Sequence, residues 1–294
     1  MSIADDPLPD LIRTLRSPLP DIRTRGVRAL GRLGWLARDA LPLLVSLLND
    51  PDATVREASA QAVGQMGPEA LPHLTTMLLH PDKYVRRNAV WAMGKLGPLA
   101  KSAIPDLCAT LRDTDPRTAS GAAQALGNMG ADAVDAIPAL TEAMRGTNIV
   151  LCRLAAKALS QIGRPALPAL IAHLRHRDPF VRGEAALALG WMGSAAAAAV
   201  PGLIEALHKS SPSPYPTSGI SEEENTPSTP ITPPQPGQAA DEASRGYIIQ
   251  ALGRIGPSAT AAIDLLTQHI TDPNEQISQF ARQSIRQIQQ GYAD

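Results

Sequence analysis

The segment DPDATVREASAQAVGQMGPEALP, residues 50–72, decides the fold. It opens on Asp50-Pro51, a helix-capping aspartate followed by the residue best tolerated in a first turn. Ala62, Val63 and Met66 stand at i, i+1 and i+4, one face of a helix with a small residue where a neighbour must approach closely. Gly64 and Gly67 follow at the helix end, where glycine tolerates a left-handed cap. Pro72 then begins a second helix at a position where its missing N–H costs little. Such a hairpin cannot bury its apolar face alone.

Reading outward, the hairpin recurs. The Gly-x-apolar-Gly element returns at Gly31/Gly34, Gly94/Gly97, Gly127/Gly130, Gly190/Gly193 and Gly253/Gly256, and once as Ser160/Gly163. Prolines keep step at Pro42, Pro105, Pro138, Pro168 and Pro201, with Asp264 in the last slot. Two residues before the first glycine slot every copy has alanine: Ala29, Ala62, Ala92, Ala125, Ala158, Ala188 and Ala251. Asp115-Pro116, Asp178-Pro179 and Asp272-Pro273 repeat the Asp-Pro start, each aspartate expected to cap its helix. Pro9 opens an N-terminal half-repeat, and residues 272–288 form a degenerate closing one. A period near 33 residues is the signature of a stacked repeat.

Composition agrees. Only nine of 294 residues are aromatic, while hydrophobic residues make up 44%, mostly Ala and Leu, which suits thin helices packed closely. The net charge of −1 predicts neither a nucleic-acid binder nor an acidic solvator. Two cysteines, Cys108 and Cys152, make neither a disulfide framework nor a four-ligand zinc site and are expected as buried structural thiols. Residues 1–11 lack the basic and apolar regions of a signal peptide, and no stretch reaches 18 uninterrupted apolar residues. The expected location is cytoplasmic, with no membrane contact.

The pattern resembles the HEAT repeat, in its short, glycine-rich form called the PBS-lyase HEAT-like repeat. The resemblance rests on Val55-Arg56, Val85-Arg86 and Val181-Arg182, each followed by the alanine columns; Ile22-Arg23 is a near match, and Ala119 and Cys152 depart from the arginine slot. It implies an all-α, right-handed α-solenoid, or superhelix, of stacked helical hairpins. The repeats occupy 1–209 and 243–294. Between them, residues 210–242 hold eight Pro, ten Ser or Thr, five acids and no Lys or Arg, which predicts a disordered insertion within one hairpin. Ser211, Ser213, Thr226, Thr229 and Thr232 each precede proline there, the pattern of a phosphorylated tail.

No catalytic constellation stands out, so the chain is expected not to be an enzyme and to carry no cofactor or metal. Deoxyhypusine hydroxylase, also built of HEAT repeats, holds iron through His-Glu dipeptides, and none of the six histidines here precedes Glu. His173 and His176 stand at i, i+3 but lack an obvious carboxylate or Cys partner, and are expected as surface residues. Charge is more informative. Twelve residues from each of the seven glycine-bearing helices together hold 14 basic and three acidic residues. The resemblance places these helices on the concave surface, and hence a basic groove there.

The columns at −7, −3 and +1 from the first glycine slot form the expected solvent stripe, and 16 of their 21 positions are polar. Trp91 and Trp191 break the pattern and are candidate anchors. The candidate partner-binding residues are Arg28, Arg32, Arg87, Trp91, Lys95, Arg153, Lys157, Trp191 and Arg254. The leading expectation is a non-catalytic scaffold or adaptor that grips an acidic segment of a partner protein. A phycobilin lyase or phycobilisome-handling factor, with a bilin as its ligand, is the alternative the repeat subtype implies. A nucleic-acid-binding HEAT-like protein ranks third.

Overall fold

The computed structural model describes residues 7–210 and 236–291, without the side chains of 236–239. Every element among the described residues is helical. The chain divides into two compact units, Met1–Ala166 and Leu167–Asp294, each a stretch of α-solenoid. In the first unit α1 (Leu8–Thr14) precedes four hairpins and the first helix of a fifth. Their glycine-bearing helices are α2 (Pro20–Leu33), α4 (Ala53–Gln65), α6 (Lys83–Leu96), α8 (Pro116–Asn128) and α10 (Ile149–Ile162), packed in sequence as one layer. The shorter proline-bearing helices α3 (Leu41–Ser46), α5 (Leu71–Leu78), α7 (Ile104–Thr110) and α9 (Ile137–Ala143) back that layer. In the second unit α11 (Leu167–His173), α13 (Val200–Lys209) and α15 (Ile263–Gln268) back α12 (Pro179–Trp191), α14 (Pro236–Ile255) and α16 (Glu275–Gln290).

The two glycines of the repeat do different jobs. The second always has positive φ, from +54° at Gly34 and Gly97 to +97° at Gly67. Its ψ lies near the extended range (−128° at Gly97, −145° at Gly163), so the cap is a mirror-image extended turn and not the left-handed helical one expected. That region is nearly closed to residues with a Cβ. The first glycine instead lets neighbouring helices touch. A Cβ on Gly127 would lie 3.0 Å from the Ala158 Cα, and one on Gly253 would lie 2.8 Å from the Ser284 Cα. The alanine column is the other half of this contact: Ala62, Ala92, Ala125, Ala158, Ala188 and Ala251 are buried.

Two further core columns run through all seven repeats. Three residues after the second glycine the chain buries Ala37, Ala70, Ala100, Ala133, Ala166, Ala196 and Ala259. Two residues after the proline slot it buries Leu44, Leu74, Leu107, Leu140, Leu170, Leu203 and Leu266. Full burial of such a leucine is worth roughly 2 kcal/mol, and only stacking supplies the cover.

Helix starts correct two of the Asp-Pro readings. Asp115 and Asp178 cap α8 and α12 as expected, accepting from the N–H groups of Thr118 and Phe180. The caps of α4 and α16 are Asp52 and Asn274, two residues beyond Asp50 and Asp272. Asp50 and Asp272 serve the arginine slot instead. Arg23 places Nε and Nη2 on Asp50 at 2.8 and 2.7 Å, and its Nη1 donates to the carbonyls of Ser17 and Pro18. Each such guanidinium ties the turn before its own helix to the turn before the next.

The insertion is shorter than composition suggests. Residues 211–235, with all five Ser/Thr-Pro sites, lie outside the described residues. From Pro236 the chain is helical, and Asp241 and Glu242, which composition assigns to the disordered segment, belong to α14. Asp241 pairs with Arg182 and Glu242 accepts from Asn274 Nδ2. Their polar composition reads as disorder because their partners lie far away in sequence.

Candidate functional site

The −3 and +1 columns form an exposed stripe in the first unit, as expected, while Leu187, Gln250 and Arg254 in the second unit are half-buried. Arg28, Gln61, Trp91, Gln124 and Lys157 are exposed at −3, and Arg32, Gln65, Lys95, Asn128, Gln161 and Trp191 at +1. The −7 column does not complete it. Thr24, Ser120, Gly183 and Gly246 are buried, because the neighbouring helix covers that turn: a Cβ on Gly183 would meet the Tyr247 ring at 3.0 Å.

In the first unit the stripe centres on Trp91, which is 43% exposed. A pocket opens on each side of its indole. One, of about 430 Å³, is walled by Arg28, Thr54, Glu57, Gln61, Arg87 and Asn88; the other, of about 250 Å³, by Lys95, Arg117, Gln124 and Asn128. The Lys95 ammonium lies 4.9 Å from the Trp91 ring centre, a cation–π contact that leaves its charge facing outward. Arg28, Arg32, Lys95, Arg117 and Lys157 form no ion pair among the described residues. Glu57 is the one acid on these walls and lines only the first pocket.

Arg87 sits among these residues but is committed elsewhere. Its Nε and Nη2 grip the Asp115 carboxylate, which also accepts from the N–H and hydroxyl of Thr118. The guanidinium holds the Asp115 carboxyl well below the usual carboxylate range, against the opposing push of burial. Arg87 therefore locks α6 onto the first turn of α8 and forms a wall of both pockets, rather than offering a free charge. Arg153 is exposed on α10.

Trp191 lies in the second unit. It is 43% exposed at the end of α12 and faces an open hollow of about 660 Å³ with Ser194, Arg254 and Pro257. The Arg254 stem runs past Gly190, where a Cβ would lie 3.4 Å from its Cδ, so the first-glycine slot also seats this arginine.

Tyr84 belongs to this surface although it stands outside the three stripe columns. It is 47% exposed, and the cationic groups of Arg87, Arg56 and Lys83 lie 5.1, 5.4 and 5.5 Å from its ring centre. The signal was present: Tyr84, Arg87, Trp91 and Lys95 follow at i, i+3, i+7 and i+11 along one face of α6.

Cys152 and His173 serve packing. Cys152 stands in the arginine slot and donates its thiol to the Gly146 carbonyl at 3.1 Å, the same i−6 carbonyl the arginines use. Burial pushes the half-covered Cys108 thiol up. His173, expected on the surface, is buried; its Nδ1 lies 2.8 Å from the Ala169 carbonyl and its ring stacks on His176. The turn that carries it packs inward because the adjacent Leu174 is core. No group of three or more metal-ligating side chains occurs among the described residues. Nor is any described helix long and apolar enough to cross a membrane.

Comparison with known proteins agrees with this architecture. A family profile described as HEAT repeats matches residues 8–87, 72–153 and 137–215. No curated protein sequence matches. Among solved structures, Kap95p with RanGDP is similar, with a TM-score of 0.59 and 13% identity over 95% of this chain and 42% of that one. The CpcE–CpcF complex of phycocyanin lyase from Nostoc sp. PCC7120 has a TM-score of 0.43 and 20% identity, over 98% of this chain and 97% of that one. A designed armadillo repeat protein in complex with the peptide (KR)4 has a TM-score of 0.44 and 20% identity, over 64% and 100%. At these identities the likeness concerns the fold.

Proposed function

Because the chain belongs to the HEAT-repeat family, whose solenoids commonly serve as protein-binding scaffolds, we propose that it is a non-catalytic scaffold that binds an acidic segment of a partner protein. The observation that carries this reading is the Trp91 saddle. An exposed indole stands between two pockets, with Arg28 on one side and Lys95 and Arg117 on the other. Exposed tryptophan flanked by arginine and lysine is the composition of an interface anchor. The surrounding cations would steer an acidic chain toward it and disfavour a basic one. Trp191 and Arg254 offer a second anchor in the other unit.

The test is fluorescence polarisation with two labelled peptides of equal length, one glutamate-rich and one lysine-rich. The acidic peptide should bind and the basic one should not. Trp91→Ala should weaken binding about 30-fold, the loss typical of a hot-spot residue, and raised salt should weaken it further. Equal binding of both peptides, or an affinity indifferent to Trp91→Ala, would overturn the reading.

A further inference from the structure

The arginine slot shows what its own ligand is. Arg23, Arg56, Arg86 and Arg182 each spend Nη1 on two carbonyls of the turn before their helix, and Arg245 reaches the Ser210 carbonyl in the same way. In four of these five copies the rest of the guanidinium meets a carboxylate: Asp50 for Arg23, Asp113 for Arg86, Asp241 for Arg182 and Asp272 for Arg245. Arg23 and Arg86 hold theirs bidentately through Nε and Nη2. The Arg182 copy is instructive. Where the insertion interrupts the turn, the chain brings in a carboxylate from 59 residues onward.

Arg56 lacks that partner. The carbonyls of Asp50 and Pro51 hold its Nη1 at 2.7 and 2.9 Å, as in the other copies, so the guanidinium is oriented in advance. Among the described residues no carboxylate meets its Nε or Nη2. The reason lies in the next turn, which has His80 where other repeats have Asp50, Asp113 and Asp272. The His80 Nδ1 accepts from the Asp82 N–H, and the Asp82 carboxylate is spent capping α6 through the Tyr84 N–H. Arg56 is partly exposed and lies over the Tyr84 ring, with Lys83 on the same ring.

We propose that the open fork of Arg56, with the Tyr84 ring and Lys83 beside it, binds a carboxylate of an acidic peptide, which completes from outside the pair that the chain makes for itself in the other four copies. The planar fork of Nε and Nη2 matches a carboxylate in two parallel hydrogen bonds. Binding forgoes little orientation entropy, since the turn carbonyls already fix the group. This inference rests on the reading of an acidic partner, but it concerns the opposite end of α6 from Lys95, about 16 Å along the helix. A segment that covers Trp91 and reaches Arg56 would run along the Tyr84–Lys95 stripe.

The experiment follows the arginine Nε–H resonances of the full chain labelled with nitrogen-15, with Arg56 assigned through Arg56→Lys, during titration with N-acetyl hexaglutamate amide. The Arg56 signal should shift and saturate. His80→Asp should restore the internal partner, raise the melting temperature, abolish the shift and weaken peptide binding about tenfold, the worth of one charge-assisted pair. The inference fails if the peptide binds while Arg56 stays silent, or if His80→Asp changes neither shift nor affinity. It fails also if inorganic phosphate at equal concentration moves Arg56 more than the peptide does. Trp91→Ala separates the two readings: a shift that persists with unchanged affinity sinks the Trp91 anchor and leaves the Arg56 site standing.

Discussion

At the scale of single residues, the repeat is governed by what a Cβ would strike. In an exposed helix interior, Ala for Gly gains about 1 kcal/mol. At Gly253 that gain is overwhelmed, because the new methyl would sit 2.8 Å from the Ser284 Cα and 2.5 Å from its hydroxyl. Backbone cannot step aside as a side chain can, so Gly253→Ala should cost about 2 kcal/mol as α14 and α16 separate. Gly94 occupies the same slot but is less tightly packed, with the Ala125 carbons 3.5 Å from a built Cβ. Gly94→Ala should therefore be neutral or stabilising by up to ~1 kcal/mol. Urea unfolding of the two variants checks both, and equal losses would mean that the glycine serves something other than close approach. The sequence showed two glycines per repeat; which one closes the helix and which one lets helices touch is a matter of φ and of the neighbour's position.

At the scale of elements, ion pairs fasten one helix to the start of another. Asp115 caps α8 and receives the Arg87 fork from α6, and both side chains are largely buried. Asp115→Asn keeps an oxygen for the cap and removes the charge, so it isolates the pair. The cost at neutral pH should be about 2 kcal/mol, as for a buried hydrogen bond between charged groups. Arg87 holds the Asp115 carboxyl below its unfolded value, so the folded chain binds that proton more weakly. The pair therefore stabilises fully above the unfolded value, about pH 4, and its contribution fades as pH falls toward the folded one. The gap between wild type and Asp115→Asn should be widest near pH 7 and should close below about pH 4. A gap that stays constant from pH 7 to pH 3 would assign the loss to the cap. Arg87 was legible as a cation on the stripe, but its commitment to Asp115 was not, since a residue 28 positions away becomes a neighbour only through stacking.

At the scale of the molecule, each repeat leans on the next, so damage should stay local. In the second unit α14 packs against α12 and α16, and in the first the glycine-bearing helices pack in chain order from α2 to α10. Hydrogen exchange of Gly253→Ala should show faster exchange in α14 and α16, while the amides of α2 through α8 keep wild-type protection. Uniform loss of protection across the chain would contradict nearest-neighbour cooperativity. A repeat whose columns are spent on burial and on the arginine ladder leaves only the outward stripe free to vary.

The sequence by itself determined the hairpin, its period, the alanine and glycine columns, and the polar stripe on which Trp91 and Trp191 stand exposed. These follow from contacts within one helix or between adjacent hairpins, which a fixed period makes visible as columns. Tertiary structure decided which charges remain available. Arg87 is taken by Asp115 and Arg182 by Asp241, whereas Arg56 is left open because its repeat has His80 in place of an aspartate. It also drew α14 back to Pro236, a helix start that composition alone read as disordered. The physical reason is the same throughout. Periodicity reports what every repeat needs for packing, whereas an ion pair depends on which acid is carried to which arginine once the repeats are stacked.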